Sequence, residues 1–389
     1  MNFPRRRALR WALPAAAIAA TIGIASVSNL VSADAQVPNL PLLTAAELLA
    51  KVTSAKVPAF SGTVQLTANL GLPDLGGFGG TIPGSISELL AGSHSASVSA
   101  DGPTKVKVTM HGPLAESSWI RNGDDAWSWN SASQTATHAK MSSVGESGTD
   151  TQEPASVTPG VTSGVDAMNP AAMAASLLAQ VDPTTTVSVR TSAYVAGRAA
   201  YELVLAPKSV ASTVGEIVLA IDAATGTPLD ARIVAKGHTS PALELGFTQI
   251  TFATPATSTF AFLPPAGVTV KEVASVSDLL PISGGREHGD GKVDTRDATP
   301  EGSVSKVGNS ATTTVGTTWD SVTIMKGTAI SPQIAQVLGG GSTVTLANGV
   351  TAKLVSTALI NVLLSSDGRI ALGAVTPQAL QAALNQPAA

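Results

Sequence analysis

The chain has 389 residues, of which 44% are apolar, 13% are charged and 4% are aromatic. This composition excludes a polar disordered chain, a coiled coil and a collagen-like fibre, and a core must be built mainly from Val, Leu, Ile and Ala. The net charge of −4 provides no field to attract nucleic acid, and the lack of cysteine excludes disulfides, thiolate metal sites and a cysteine nucleophile.

The first 35 residues have the pattern of an export signal. Arginines from Arg5 to Arg7 precede an uncharged stretch from Trp11 to Val27, and Ala33-Asp34-Ala35 provides a small-x-small cleavage site. An uncleaved membrane anchor is the alternative, because the uncharged stretch is at the short end of what can span a bilayer. We therefore expect an extracytoplasmic protein that is secreted or associated with the cell envelope.

Two segments carry clear start signals for helices. Thr44 followed by Glu47 is a capping box, which predicts a helix near 44–56. Asn169 as the N-cap, with Pro170 at the first helical position, predicts a second helix after a long irregular segment.

Apolar residues at every second position predict half-buried strands through most of the remaining chain. At least five strands are expected between 184 and 272, and Trp119 to Trp129 are expected to form a hairpin that turns at Arg121-Asn122-Gly123-Asp124. The alternating apolar positions are Val64-Leu66-Ala68, Val106-Val108-Met110, Tyr201-Leu203-Leu205, Ile217-Leu219-Ile221, Ala231-Ile233-Ala235 and Leu243-Leu245-Phe247, followed by Phe260 and Phe262.

Glycine, proline and small polar residues predict irregular segments at 71–92 and 142–168 and a linker at 279–311. The last segment, 312–389, is then expected to hold strands and short helices. Its predicted elements are a strand from Trp319 to Met325, a helix after Ser331-Pro332, strand-like runs at 343–347 and 352–364, and a terminal helix from Thr376-Pro377.

Motifs of catalysis and of cofactor binding are missing from the sequence. It contains no Gly-x-Ser-x-Gly elbow, no His-Glu-x-x-His, no Walker loop and no Gly-x-Gly-x-x-Gly after a strand. The five histidines are scattered, and Asp290, Asp294 and Asp297 do not match a calcium-binding loop. We expect no cofactor, no metal site, no catalytic residue and no nucleic-acid partner.

Four runs of residues together resemble the LolA-like superfamily, which includes the lipoprotein carrier LolA, the lipoprotein LppX and the N-terminal domain of the regulator RseB. The runs are Phe60-Ser61-Gly62-Thr63-Val64, Tyr201 to Lys208, Ile221 to Leu229 and Phe260 to Gly267. The run from Asp367 to Pro377 looks like the C-terminal extension of such proteins in high-GC Gram-positive bacteria.

This resemblance implies a mainly β fold with helices (α+β): a large antiparallel, unclosed half-barrel with helices over its concave apolar face. The half-barrel would span 36–278, and the small α+β extension, 312–389, is expected to pack on it. The apolar residues Ala358 to Leu364 are too many to remain in water, and the segment is small for an independent core.

The function implied is non-enzymatic binding of a lipid, or of the acyl chains of a lipoprotein, in an apolar cavity. The residues predicted to line that cavity are Val64, Leu66, Val106, Val108, Met110, Leu203, Leu205, Leu243, Leu245 and Phe247. The alternative is an RseB-like envelope-stress regulator that binds a membrane-anchored anti-sigma factor through the C-terminal segment. A hydrolase is a third hypothesis that no motif supports.

Overall fold

A computed structural model describes residues 38–71, 91–112, 115–140, 169–179, 181–273, 279, 311–326 and 340–385. The predicted export signal, most of the 71–92 loop, the 142–168 segment, almost all of the linker and the helix predicted after Ser331 lie outside these residues. The described residues form two β-sheets and three α-helices.

The helices begin where the capping signals predict. They are α1 (Ala45–Ser54), α2 (Pro170–Leu178) and α3 (Pro377–Asn385). At α1 the capping box is complete, since Glu47 N donates to Thr44 Oγ1 at 3.2 Å and Thr44 N donates to Glu47 Oε2 at 2.8 Å. At α2 the Asn169 side chain accepts the backbone N–H of Ala171 at 3.0 Å.

The larger sheet has twelve strands in the order β12-β6-β5-β4-β3-β2-β1-β11-β10-β9-β8-β7. It is not closed, since β12 and β7 are its two edges. The pairs are antiparallel except for β12, which is parallel to β6. The strands are β1 (Phe60–Asn69), β2 (Ala91–Ala100), β3 (Lys105–His111), β4 (Glu116–Asn122), β5 (Asp125–Asn130), β6 (Thr135–Lys140), β7 (Thr185–Val195), β8 (Arg198–Pro207), β9 (Val214–Asp222), β10 (Pro228–Ala235), β11 (Pro241–Thr251) and β12 (Thr269–Val273).

The register places the predicted apolar positions on one face of this sheet. Val64 is opposite Phe247 and Leu66 is opposite Leu245 in the β1–β11 pair, and side chains of directly opposed residues point to the same face. Leu203 lies on the same face, because consecutive strand pairs align it with Leu245. We call this face the helix face, because α1 and α2 pack in the same apolar cluster as its residues. The expected mainly β fold with a large unclosed sheet is confirmed.

The smaller sheet is formed by the C-terminal segment, in the order β13-β14-β18-β17-β16-β15. Its core contains Val322, Leu363 and Ala371, and α3 covers it with Leu380 and Leu384. The strands are β13 (Ala311–Val315), β14 (Val322–Lys326), β15 (Ser342–Thr345), β16 (Thr351–Ser356), β17 (Asn361–Ser365) and β18 (Arg369–Gly373).

The two sheets share apolar and backbone contacts. Trp319 and Leu359, from the C-terminal segment, are buried in the cluster that contains Leu203. Backbone hydrogen bonds run from Ala358 N to Leu70 O at 2.8 Å and from Thr376 N to Ala211 O at 2.7 Å. Thr213 also donates its hydroxyl to Leu359 O.

Several predicted boundaries were wrong for local reasons. The loop predicted to reach residue 92 ends earlier, because β2 begins at Ala91. The predicted strand at Trp319 is a short 3-10 helix, Thr318–Asp320, and the run 352–364 is broken into β16 and β17 by a turn that the Thr357 side chain stabilises. Phe260 ends another 3-10 helix, Thr257–Phe260, instead of lying in a strand.

Candidate functional site

The ten residues predicted to line an apolar cavity all lie on the helix face, because they are opposed to one another across consecutive strand pairs. Val106 and Leu243 are half-buried and the other eight are buried. They belong to two clusters that pack the helix face: one around Leu203 and Leu205, and one around Val64, Val108 and Phe247. Their role as a ligand-binding lining stays a prediction.

The helix α1 covers the part of the helix face formed by β7 and β8. It buries Leu48 completely, and the Tyr201 hydroxyl donates to Pro41 O at 3.0 Å just before the helix. The end of α1 packs closely on the β9–β10 turn, because a Cβ on Gly226 would lie 3.1 Å from Ala55 Cβ. Polar and apolar contacts therefore both hold α1 in place.

The helix α2 lies over β10 and β11, at the centre of the helix face. It buries Ala174 and Leu177, and Met173 contacts both apolar clusters. Among the described residues, α2 makes no ion pair and no side-chain hydrogen bond to the sheet; the Asn169 cap is internal to the helix. Four of its nine residues are alanine, so little side-chain bulk lies between the helix and the sheet.

Trp119 places a polar atom on the same apolar face. It lies opposite Val108 in the β3–β4 pair and is 6% exposed. Its indole Nε1 is buried and has no hydrogen-bond partner among the described residues. Buried Trp N–H groups usually have a partner, so this donor is available to an acceptor that enters the helix face.

The opposite face of the sheet contains a cavity of about 440 Å³. Residues Glu202, Asp230, Arg232 and Glu244 line this cavity and form what we call the charged cluster. The register brings them together, since Asp230 is opposite Gly246 and Arg232 is opposite Glu244 across the β10–β11 pair. Nothing in the sequence patterns singled these residues out, although each is a charged residue at a polar position of an alternating strand.

Two carboxylates of the charged cluster, those of Glu202 and Asp230, are buried. Arg232 forms ion pairs with Glu202 and, at 2.7 Å between Nε and Oδ1, with Asp230. Asp230 is 6% exposed, and burial raises the pKa of its carboxyl to about 6 even though Arg232 opposes this shift. Asp230 Oδ2 lies against Gly246, where a Cβ would overlap it. Gly246 is therefore required for the carboxylate to occupy this position.

The β7–β8 hairpin forms the rim of the cavity. Its turn residues Ala196 and Gly197 have φ values of 50° and 75°, as a two-residue type I′ turn requires. A register shift after Arg190 bends β7, and Ala193 to Ala196 line the same cavity as Gln65 on β1. The hairpin also reaches the end of β11, because the Arg198 guanidinium lies 4.6 Å from the centre of the Phe252 ring.

The described residues contain neither a metal-ligand cluster nor a membrane-spanning helix. They contain no cluster of three or more His, Asp or Glu side chains arranged to hold a metal ion. None of the helices in the described ranges is long and apolar enough to cross a bilayer.

The comparisons with known proteins give structural matches only. No family model matches the chain, and no curated protein matches its sequence. A solved structure of MucB with MucA from Pseudomonas aeruginosa aligns with 87% of this chain and 96% of that chain, at 15% identity and a TM-score of 0.38.

Shorter matches cover little more than half of this chain. A LolA superfamily protein from Nitrosomonas europaea aligns with 57% of this chain and 99% of its own, at 12% identity and a TM-score of 0.21. A putative outer membrane lipoprotein-sorting protein domain from Vibrio parahaemolyticus aligns with 55% and 92%, at 11% identity and a TM-score of 0.21.

Proposed function

We propose that this protein is an extracytoplasmic, non-enzymatic protein that binds the acyl chains of a lipid or lipoprotein between α2 and the helix face. The observation that carries the proposal is the way α2 is attached. It lies over β10 and β11, and among the described residues it contacts the sheet through apolar side chains alone. The export signal and the motifs that resemble the LolA-like superfamily support the same function.

The energies favour an acyl chain that takes over apolar contacts between α2 and the sheet. A nine-residue helix is marginal by itself, and burial of Leu177 contributes about 2 to 3 kcal/mol. Burial of an acyl chain contributes about 0.8 kcal/mol per CH2, so a chain of about twelve carbons would contribute roughly 10 kcal/mol. A ligand of this kind therefore offsets the lost helix contacts and still binds.

The free indole donor of Trp119 suits an esterified ligand. An acyl ester carries a carbonyl oxygen next to its apolar chain, and a buried donor without a partner gains a hydrogen bond when such an oxygen arrives. Trp119 Nε1 is on the helix face, so the ester and the chain would occupy the same face.

Native mass spectrometry and fluorescent fatty-acid uptake test this function. The chain from residue 36 onward, purified without detergent, should carry or take up lipid. Met173→Trp fills the space between the two apolar clusters and should reduce uptake, whereas Ala175→Trp, on the exposed side of the same helix, should not. A clean ligand-free mass together with no uptake would rule the function out.

The regulator hypothesis has one structural feature in its favour. β15 is an edge strand of the smaller sheet, and three of its four residues are exposed. An exposed edge can add a strand from another protein. Cross-linking in cells followed by identification of membrane partners distinguishes this function from lipid binding, since a carrier would be recovered with lipid instead.

A further inference from the structure

We propose that the cavity on the opposite face binds an organic cation, an alkylammonium or guanidinium group, at the charged cluster. This site is independent of acyl binding, because it lies on the other side of the sheet from α2. Its ligand would be a free amine or the amine headgroup of a phospholipid, since both present the same ammonium group.

The charge of the cavity favours a cation. Three carboxylates and one guanidinium line the cavity, so its formal charge is negative when the carboxylates are ionised. Arg232 is paired with Glu202 and Asp230, which leaves Glu244 without an ion pair among the described residues. An incoming cation would give Glu244 the partner that the fold does not.

One carboxylate of the charged cluster is deeply buried beside the cavity. Asp230 is more than nine-tenths buried, and only its Oδ1 lies beside Arg232. Its Oδ2 lies against Gly246, which lines the cavity. A bound ammonium group would bring a positive charge close to this buried carboxylate, which favours its ionised form.

The nature of the lining selects an organic cation over a metal ion. Val195 lines the cavity beside the carboxylates, together with Tyr194, which is 56% exposed at the rim. Alkyl groups pack on such side chains, and aromatic rings attract cations. The described residues, these carboxylates included, contain no group of three or more His, Asp or Glu side chains placed to coordinate a metal ion.

Fluorescence anisotropy of dansylcadaverine tests the site with the chain from residue 36 onward, at low salt and pH 7.5. We expect saturable binding, and binding at least fivefold weaker to N-butyldansylamide, which lacks the ammonium group. Equal affinity for the two probes, or no saturable binding, would overturn the proposal.

Two variants place the binding in the cavity. Glu244→Gln should weaken dansylcadaverine binding at least fivefold, because it neutralises the unpaired carboxylate. Glu216→Gln is the matched control: Glu216 pairs with Arg190 at 2.8 Å and does not line the cavity, so its affinity should be unchanged. Equal losses in both variants would show a general charge effect and contradict the site.

Vesicles distinguish the two sources of the amine. Stronger binding to phosphatidylethanolamine than to phosphatidylglycerol vesicles, lost in Glu244→Gln, would identify a lipid headgroup. Binding of dansylcadaverine without vesicle binding would identify a free amine. Because the acyl test uses Met173→Trp on the other face, failure of one proposal leaves the other intact.

Discussion

Trp319 Nε1 donates a hydrogen bond of 2.7 Å to Thr185 Oγ1, which links the C-terminal segment to the first residue of the edge strand β7. Next to it, the Thr318 hydroxyl donates to Asp182 Oδ2 at 2.6 Å. These two hydrogen bonds satisfy the Trp319 indole and the Thr318 hydroxyl at the border of an apolar cluster that both sheets share. The C-terminal segment is therefore positioned to contribute to the stability of the larger sheet.

The first prediction follows from this link. Trp319→Ala should lower the free energy of unfolding by about 3 to 5 kcal/mol, because it removes a large buried side chain. Trp319→Phe keeps most of the packing and should cost about 1 kcal/mol. Urea denaturation followed by circular dichroism measures both.

Truncation after Asp278 should lower the thermal midpoint; a soluble monomeric 36–278 fragment with an unchanged midpoint would show two independent folding units.

The second prediction concerns pH. The folded pKa of Asp230 is raised to about 6 from 3.8, mainly by burial, so the folded state holds this proton more tightly than the unfolded state does. Stability should therefore fall as pH rises from about 4 to about 6, by about 3 kcal/mol from this group, and then level off. Asp230→Asn should remove that component when unfolding in urea is compared at pH 4, 5, 6 and 7. Parallel curves for the variant and the parent chain would contradict the assignment.

The third prediction tests the rim of the cavity. Ala196 has a φ of 50°, which is unfavourable for alanine and much better tolerated by asparagine. Ala196→Asn should therefore stabilise the protein by about 0.5 to 1 kcal/mol, seen as a higher thermal midpoint. The control is Ala199→Asn in the extended part of the same hairpin, which should bring no gain.

The fourth prediction concerns the edge strand β12. His138 Nδ1 lies 2.8 Å from Glu272 Oε2 on β12, and its Nε2 lies 2.8 Å from Asp125 Oδ1. The imidazole also stacks on Trp127, with ring centres 4.1 Å apart. His138→Ala should loosen β12, because it removes both contacts to carboxylate oxygens and the stacked ring.

Hydrogen exchange measures this effect. Amides of 269–273 should exchange at least tenfold faster in His138→Ala than in the parent chain. Lys271→Ala changes an exposed residue of the same strand and should leave the rates unchanged. Unchanged exchange in His138→Ala would show that backbone pairing with β6 alone holds β12.

Local signals in the sequence predicted much of the architecture. The caps at Thr44 and Asn169 are side-chain features of adjacent residues, so they could be recognised without the fold. The alternating apolar residues predicted strands for the same reason. β2 was missed because its residues are small: Ser95, Ser97 and Ser99 alternate with Ala96 and Val98, a period-two pattern with little hydrophobic contrast.

The charged cluster could not be predicted, because it exists only through strand register. Glu202, Asp230 and Glu244 lie on three different strands, and β9 separates β8 from β10 in the sheet. Each residue alone looks like a solvated charge on the polar side of a strand. Only the pairing of Asp230 with Gly246, and the bend in β7 that brings Ala193 to Ala196 over the sheet, create a cavity with a buried carboxylate.

The position of β1 in the sheet constrains the order of folding. β1 pairs with β2 on one side and with β11 on the other, and Ser61 meets Thr251 across almost half of the chain. During synthesis from the N-terminus, the strands β1 to β6 can pair only with each other until β11 has been made. Such distant pairing slows folding, since a long loop must close before the contact forms. A nascent chain of this topology therefore remains incompletely folded for longer than a chain in which every strand pairs with its neighbour in sequence.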